Sequence, residues 1–156
     1  MQKLDQIRAK YPRVIREYEE ALLEQAQYQH QQIRTPAAIG MLLLAKGMGE
    51  LVQEELWVMS LNTKNYVVEI TRLYKGTVNS SLIRNSEVFR TPIILNAPAI
   101  IVAHNHPSGD TTASIDDLTA TRNLLEAAKL LDIDFLDHII VAKGKYQSLR
   151  EGGHMG

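Results

Sequence analysis

A run of apolar residues that ends in two histidines one residue apart leaves this chain few options between residues 99 and 117, AIIVAHNHPSGDTTASIDD. The nearly unbroken apolar stretch before His104 predicts a strand buried on both faces. Residues at i and i+2 of an extended segment project to the same side, so a strand ending in His-Asn-His offers two imidazoles to one point in space. PSGDTTAS, rich in Gly, Pro, Ser and Thr, should then reverse the chain. From Ser114 the sequence takes up a helical pattern whose first turn presents Asp117. A strand, a turn and a helix start can therefore converge.

The chain has no cysteine, so a thiolate metal site and disulfides are both excluded. Imidazole and carboxylate are the donors that zinc accepts in place of thiolate, and catalytic zinc sites use three protein ligands and one water. His104, His106 and Asp117 supply those three, and a water in the open position would lose its proton near pH 7. A second role falls on the same residues. SIDD is also a capping box, in which Ser114 bonds the amide of residue 117 and Asp117 offsets the positive end of the helix dipole. The roles are compatible, because a capped helix start fixes the carboxylate that meets the metal. Amide hydrolysis would also need a donor aimed at the developing oxyanion. Ser114, three residues before a ligand, is the candidate, with simple capping as its other role.

The text HNHPSGDTTASIDD resembles the JAMM (JAB1/MPN-type) metalloprotease motif, HxHx7SxxD, and its surroundings resemble the bacterial RadC-like branch of that family. The matching pieces are LWVMSLNTKN (56–65), KGTVNSS (75–81), NSEVFRTPIILNAPAIIVAHNHPSGD (85–110) and LDHIIVAKGKYQSLREGG (136–153). The resemblance implies an α/β fold with a mixed, mostly antiparallel central sheet flanked by helices, the cytidine-deaminase-like JAB/MPN fold. The catalytic domain would span 35–152, with an amino-terminal helical extension over 1–34. The family pattern adds a glutamate on an upstream strand, eight residues before Asn62, and that position is Glu54. It implies Zn2+ as cofactor, Glu54 as general base, and hydrolysis of a peptide or isopeptide bond in a protein substrate. One departure is Ser86, where the family usually has an arginine before the position of Glu87. Two further readings stay open: a nucleic-acid-processing protein of the DNA-repair type long associated with RadC, and a non-catalytic MPN-fold scaffold. A formal charge of -1 gives no electrostatic footprint for nucleic acid. The scaffold would be expected to lose ligands, and here all are present.

The rest of the chain fills in the architecture. A length of 156 residues, 45% hydrophobic, fits one domain with an ordinary core. Residues 1–33 carry Leu4, Ile7, Tyr11, Val14, Ile15, Tyr18, Leu22 and Leu23 at spacings near three and four, an amphipathic helix broken at Pro12. This helix is the expected surface for a homo-oligomer, and His30 near its end is a bystander. Thr35 and Pro36 predict an N-cap and first turn. LVQEELWVMSL then shifts to strand character. Neighbours on a strand face opposite sides, so only one of Glu54 and Glu55 can look into the site; the spacing does not choose, the resemblance selects Glu54, and Glu55 is then expected in solvent.

NTKN (62–65) should close a hairpin onto the next strand. A helix is expected around Ser86–Leu95, another of four to five turns from Ser114, then a strand over 135–142 and a short last strand at YQSL. Asp137 and His138 read first as a satisfied pair on a core strand and second as a support for a ligand; His138 is not itself taken as one. The tail REGGHMG is expected to be disordered, with 153–156 outside the domain. No signal peptide heads the chain and no apolar run is long enough for a bilayer, so the expected setting is cytoplasmic, without membrane contact.

Overall fold

Pro12 divides the amino-terminal stretch in two: α1 spans Gln2–Lys10 and α2 spans Pro12–Tyr28. Proline opens α2 at the position where its missing N–H costs no helical hydrogen bond. The computed structural model describes residues 2–28, 31–77 and 79–156, so His30 lies outside the described residues. Arg8 of α1 reaches Glu19 of α2 at 3.0 Å. Val14, Tyr18 and Leu22, spaced at i and i+4 along α2, are exposed. The apolar stripe of α2 is therefore not spent on the core.

The next helix, α3 (Pro36–Ala45), starts as its sequence requires, with Thr35 accepting a hydrogen bond from the Ala38 amide at 3.2 Å. Five strands come after it: β1 Glu55–Leu61, β2 Val67–Lys75, β3 Ala99–Asn105, β4 Asp134–Ala142 and β5 Lys145–Ser148. They form one sheet in the order β2-β1-β3-β4-β5, and only β3 and β4 run parallel. The expected mixed, mostly antiparallel sheet is present. The β1–β2 hairpin turns at Asn65, with a φ of 60°, and Asn62 Oδ1 accepts from the amides of Lys64 and Tyr66, each at 3.0 Å. Parallel strands cannot be joined by a tight turn, and β3 is linked to β4 through α6 (Ile115–Leu130).

Strand alternation sorts the core into two layers. Trp57, Met59, Leu61, Ile101, Ala103, Ile139 and Val141 face α3, whose Ile39 and Leu43 complete that cluster. Leu56, Val58, Ile100, Val102 and Ile140 face α6, meeting Leu124 and Ala128. Burial of side chains such as Leu43 and Leu124 contributes roughly 1.5–3 kcal/mol each. On the α3 side the packing is close enough that a Cβ on Gly40 would come within 2.5 Å of the Tyr146 ring.

Three local expectations change. The helix expected over Ser86–Leu95 is two short ones, α4 (Asn85–Val88) and α5 (Arg90–Ile94), hinged at Phe89, with Pro92 in the first turn of α5. The break lets Val88 and Phe89 both enter the α6-side core. The register between β3 and β4 slips at Leu136, since Ile100 pairs with Phe135 and Ile101 with Asp137. A bulge of this kind re-aims the side chains beyond it. The tail is not disordered: Met155 is buried in the α6-side cluster, the His154 amide donates to the Leu149 carbonyl at 2.9 Å, and the Arg150 guanidinium caps the Phe135 and Leu136 carbonyls at the bulge. Among the described residues, no helix is long and apolar enough to cross a membrane.

Candidate metal centre

His104 is the sixth residue of β3 and shares the α6-facing side with Ile100 and Val102, in keeping with a period of two. His106 lies just beyond the strand, its amide donating to the Val141 carbonyl of β4 at 2.8 Å, so the extended path continues and its ring falls on the same side. The loop then folds back on itself. Gly109 takes a φ of 87°, a left-handed conformation that suits glycine, and its amide bonds the His106 carbonyl at 3.1 Å. Asp110 Oδ1 accepts from the Thr112 amide at 2.8 Å, which closes the turn.

The turn delivers Ser114 as the N-cap of α6. Ser114 Oγ accepts from the Asp117 amide at 3.0 Å, and Asp117 Oδ2 accepts from the Ser114 amide at 2.7 Å, the reciprocal capping box that the sequence spelled. Held this way, the Asp117 carboxylate sits against both histidines. His104 Nε2 is 3.0 Å from Asp117 Oδ1, His106 Nε2 is 3.3 Å from Asp117 Oδ2, and the two Nε2 atoms are 2.9 Å apart. Donors about 2.0–2.1 Å from a tetrahedral zinc ion lie about 3.3 Å from one another. The three side chains thus converge at close to the edge length of a zinc coordination shell, and two imidazoles with one carboxylate form a donor set that zinc accepts. His106 and Asp117 are partly exposed while His104 is buried, so the centre opens to solvent on one side.

The ring orientations are set from behind. His106 Nδ1 lies 2.7 Å from the Asp110 carbonyl, which can only accept, so Nδ1 carries a proton and Nε2 is the atom turned to the centre. The Asp117 carboxylate, accepting from His106, raises that imidazole above its ordinary range. Burial opposes the rise, while the Asp110 carbonyl and the charges of Asp117 and Glu54 add to it. For Asp117, burial alone would raise the carboxyl. The hydrogen bonds from His104 and His106, the charge of His104 and the Ser114 amide more than reverse this and hold it far below the usual carboxylate range.

Glu54 stands just before β1 and is half-buried. Leu56 pairs with His104 across β1 and β3, and the same register carried two residues outward sets Glu54 opposite His106. Its effect on the His106 imidazole agrees with that placement. The profile of the RadC-like JAB domain matches residues 33–154. The chain belongs to the RadC-like JAB domain family.

Relatives of this JAB domain include a "UPF0758 protein" of Chloroflexus aurantiacus, 49% identical over 121 residues, covering 78% of this chain and 52% of the relative. Another, from Roseiflexus castenholzii, is 47% identical over 122 residues, with coverage of 78% and 52%. A third, from Staphylococcus haemolyticus, is 46% identical over 122 residues, with coverage of 78% and 53%. The chain spans about half the length of these curated relatives.

Within the JAB domain three residues differ from, or were absent from, the reading of the sequence. Glu55, expected in solvent, is buried: its Oε2 accepts from Trp57 Nε1 at 2.8 Å on the α3 side of the sheet. The face of the sheet that takes Glu55 is core, not solvent. Asn105, between the two histidines, is not singled out by the sequence pattern. Its side chain points to the other face, where Oδ1 accepts from the Glu55 amide at 2.7 Å and Nδ2 donates to the Gln53 carbonyl at 3.0 Å. Asp137 is the satisfied buried group expected, accepting from Ser148 Oγ at 2.5 Å and from the amides of His138 and Arg150. His138 does not share that bland role, because its Nε2 lies 2.8 Å from His104 Nδ1. Burial, with the charge of His104 next, pushes the His138 imidazole well below its ordinary value and keeps it neutral.

Proposed function

We propose that this JAB domain is a zinc-dependent hydrolase of amide bonds, acting on a peptide or on an isopeptide linkage in a protein substrate. The observation that carries the reading is the convergence of His104 Nε2, His106 Nε2 and Asp117 at 2.9–3.3 Å on the open side of the sheet. His104, His106 and Asp117 would hold the ion, which when bound supplies Lewis acidity and a water acidified toward neutral pH.

The chain's own groups supply the rest. Glu54, opposite His106, takes a proton from the attacking water and returns it to the leaving amine; one carboxylate can do both if it stays within hydrogen-bond reach of each. Ser114 Oγ uses a lone pair to accept from the Asp117 amide. Its hydroxyl proton is left to donate toward the oxyanion that develops on the scissile carbonyl. Asp117, anchored in the first turn at the positive end of α6, is held there in its charged form.

The test uses purified protein with its metal content measured. A panel of peptide, isopeptide-linked and single-stranded DNA substrates is assayed with and without a chelator, in the wild type and in Glu54→Gln. Hydrolysis of an amide substrate that is lost to the chelator, and lost in Glu54→Gln at unchanged zinc content, is the expected result. Cleavage of DNA alone would move the chain to the nucleic-acid reading. Bound zinc with full amide hydrolysis in Glu54→Gln would remove the proposed base.

A further inference from the structure

The proposed chemistry leaves one buried imidazole unused. His138 has 1% of its surface exposed, and a polar ring placed so deeply is costly unless both nitrogens are bonded. Both are. Nε2 lies 2.8 Å from His104 Nδ1, and Nδ1 lies 2.6 Å from Thr121 Oγ1. Thr121 Oγ1 in turn lies 2.7 Å from the backbone carbonyl of Asp117, one helical turn earlier in α6.

These contacts fix the direction of every proton. A carbonyl oxygen only accepts, so the Thr121 hydroxyl spends its single proton on Asp117. Thr121 Oγ1 must then accept from His138, which places the proton of a neutral ring on Nδ1. His138 Nε2 is left with a lone pair and accepts from His104 Nδ1–H. His104 therefore carries a proton on Nδ1, which leaves Nε2 as its ligand atom toward His106 and Asp117. The reverse assignment would leave two oxygens at 2.7 Å with no proton between them.

We infer that His138 is a positioning residue for metal binding: backed by Thr121, it holds the Nδ1 proton and the ring orientation of His104 so that Nε2 is the atom offered to the centre. The chain of bonds runs from the α6 ligand through Thr121 and β4 back to the β3 ligand, so two ligands from separate elements are tied by one network. Partners of this kind raise ligand basicity and fix the ring, and their loss typically lowers metal affinity about 10–100-fold. The metal-binding half of the inference rests on the proposed zinc hydrolase; the tautomer half does not.

The test respects that division. In the metal-free protein at neutral pH, two-bond nitrogen–proton NMR spectra of the imidazoles should show Nδ1–H in both His104 and His138. Finding His104 Nδ1 without a proton would overturn the inference, whether or not the protein binds zinc. Zinc affinity is then measured by competition with a chromophoric chelator. His138→Leu should bind about 10–100-fold more weakly. His138→Gln, whose side-chain oxygen can still accept from His104, should recover part of the loss, and cobalt-loaded His138→Leu should show altered visible bands. Should His138→Leu fail to fold, Thr121→Val removes only the backing hydroxyl and should weaken zinc in the same direction. Wild-type affinity in His138→Leu, or in Thr121→Val where His138→Leu does not fold, would overturn the positioning role. Absence of zinc binding in the wild type would instead count against the hydrolase reading, with the NMR result still deciding the network.

Discussion

The amide of Glu55 and the side chain of Asn105 are joined by a 2.7 Å hydrogen bond that crosses from β3 to the start of β1. With the second bond from Asn105 Nδ2 to the Gln53 carbonyl, one buried side chain grips the backbone on both sides of Glu54. His104 and His106 flank Asn105 in sequence and face the opposite way. The same three-residue stretch thus offers ligands to one face and fixes the proposed base from the other.

Replacing Asn105 by alanine should release the residues on either side of Glu54. The Glu55 amide and the Gln53 and Leu51 carbonyls lose a partner, and stability should fall by about 1–3 kcal/mol. Turnover should fall further than zinc content does, since the ligands are held by β3 and α6. Urea denaturation beside metal analysis checks both statements, and an equal loss of zinc and activity would assign Asn105 to the ligands instead.

The adjacent carboxylates should separate cleanly. Glu54→Gln should abolish amide hydrolysis at unchanged zinc content and unchanged stability. Glu55→Ala removes the acceptor for Trp57 Nε1, which is buried, and should cost about 1–3 kcal/mol of stability with zinc binding intact. Denaturation midpoints and zinc content of the two variants, measured side by side, test this division.

The pH dependence of the metal-free protein is set by two histidines shifted in opposite directions. His106 is raised by the Asp117 carboxylate, so its contribution is complete below the ordinary histidine value of about 6.5 and is lost as pH rises through the raised value. His138 is lowered by burial. The unfolded chain takes up a proton there that the folded one refuses, and stability is lost as pH falls below about 6.5. Asp117, depressed, contributes above the usual carboxylate value and fails only in stronger acid. Thermal denaturation of chelator-treated protein should therefore give a maximum Tm near about pH 6.5. Zinc must displace the His106 proton, so its apparent affinity should keep rising above that pH. A Tm that climbs steadily from mild acid to mild base would contradict the His106 assignment.

How much of this could be read beforehand depends on the range over which each feature is encoded. His104, His106 and Asp117 were legible because strand parity and a capping box are local patterns, and SIDD needs no partner to form its cap. The hairpin at Asn62–Asn65 and the break at Pro12 are local in the same way. Glu55 was misjudged because parity says which side a residue faces and not what covers that side; α3 and Trp57 do. His138 was underrated for a different reason. The slip at Leu136 resets the alternation of β4, so Phe135 and His138 share the α6 face although their spacing of three predicts opposite ones. That slip is held by Arg150, fifteen residues beyond Phe135, and no window on the strand alone contains it. The burial of Met155 is likewise a tertiary event, invisible in a polar, glycine-rich tail.

Ser114 carries two proposed duties that the alanine substitution alone cannot separate. Ser114→Ala removes the cap on α6 and should cost about 0.5–2 kcal/mol, with weaker zinc binding because Asp117 loses half of its reciprocal anchor. If the hydroxyl also donates to the oxyanion, turnover in zinc-saturated protein should drop by roughly 10²–10³-fold as well. Ser114→Gly splits the two effects. Glycine at an N-cap costs only a few tenths of a kcal/mol, so stability should return toward wild type while turnover stays low. Ser114→Thr keeps a hydroxyl for both duties and should restore each. Denaturation curves, zinc titrations and turnover at saturating zinc across the three variants decide the matter. Recovery of turnover in the glycine variant would reduce Ser114 to a helix cap and leave the oxyanion to the metal.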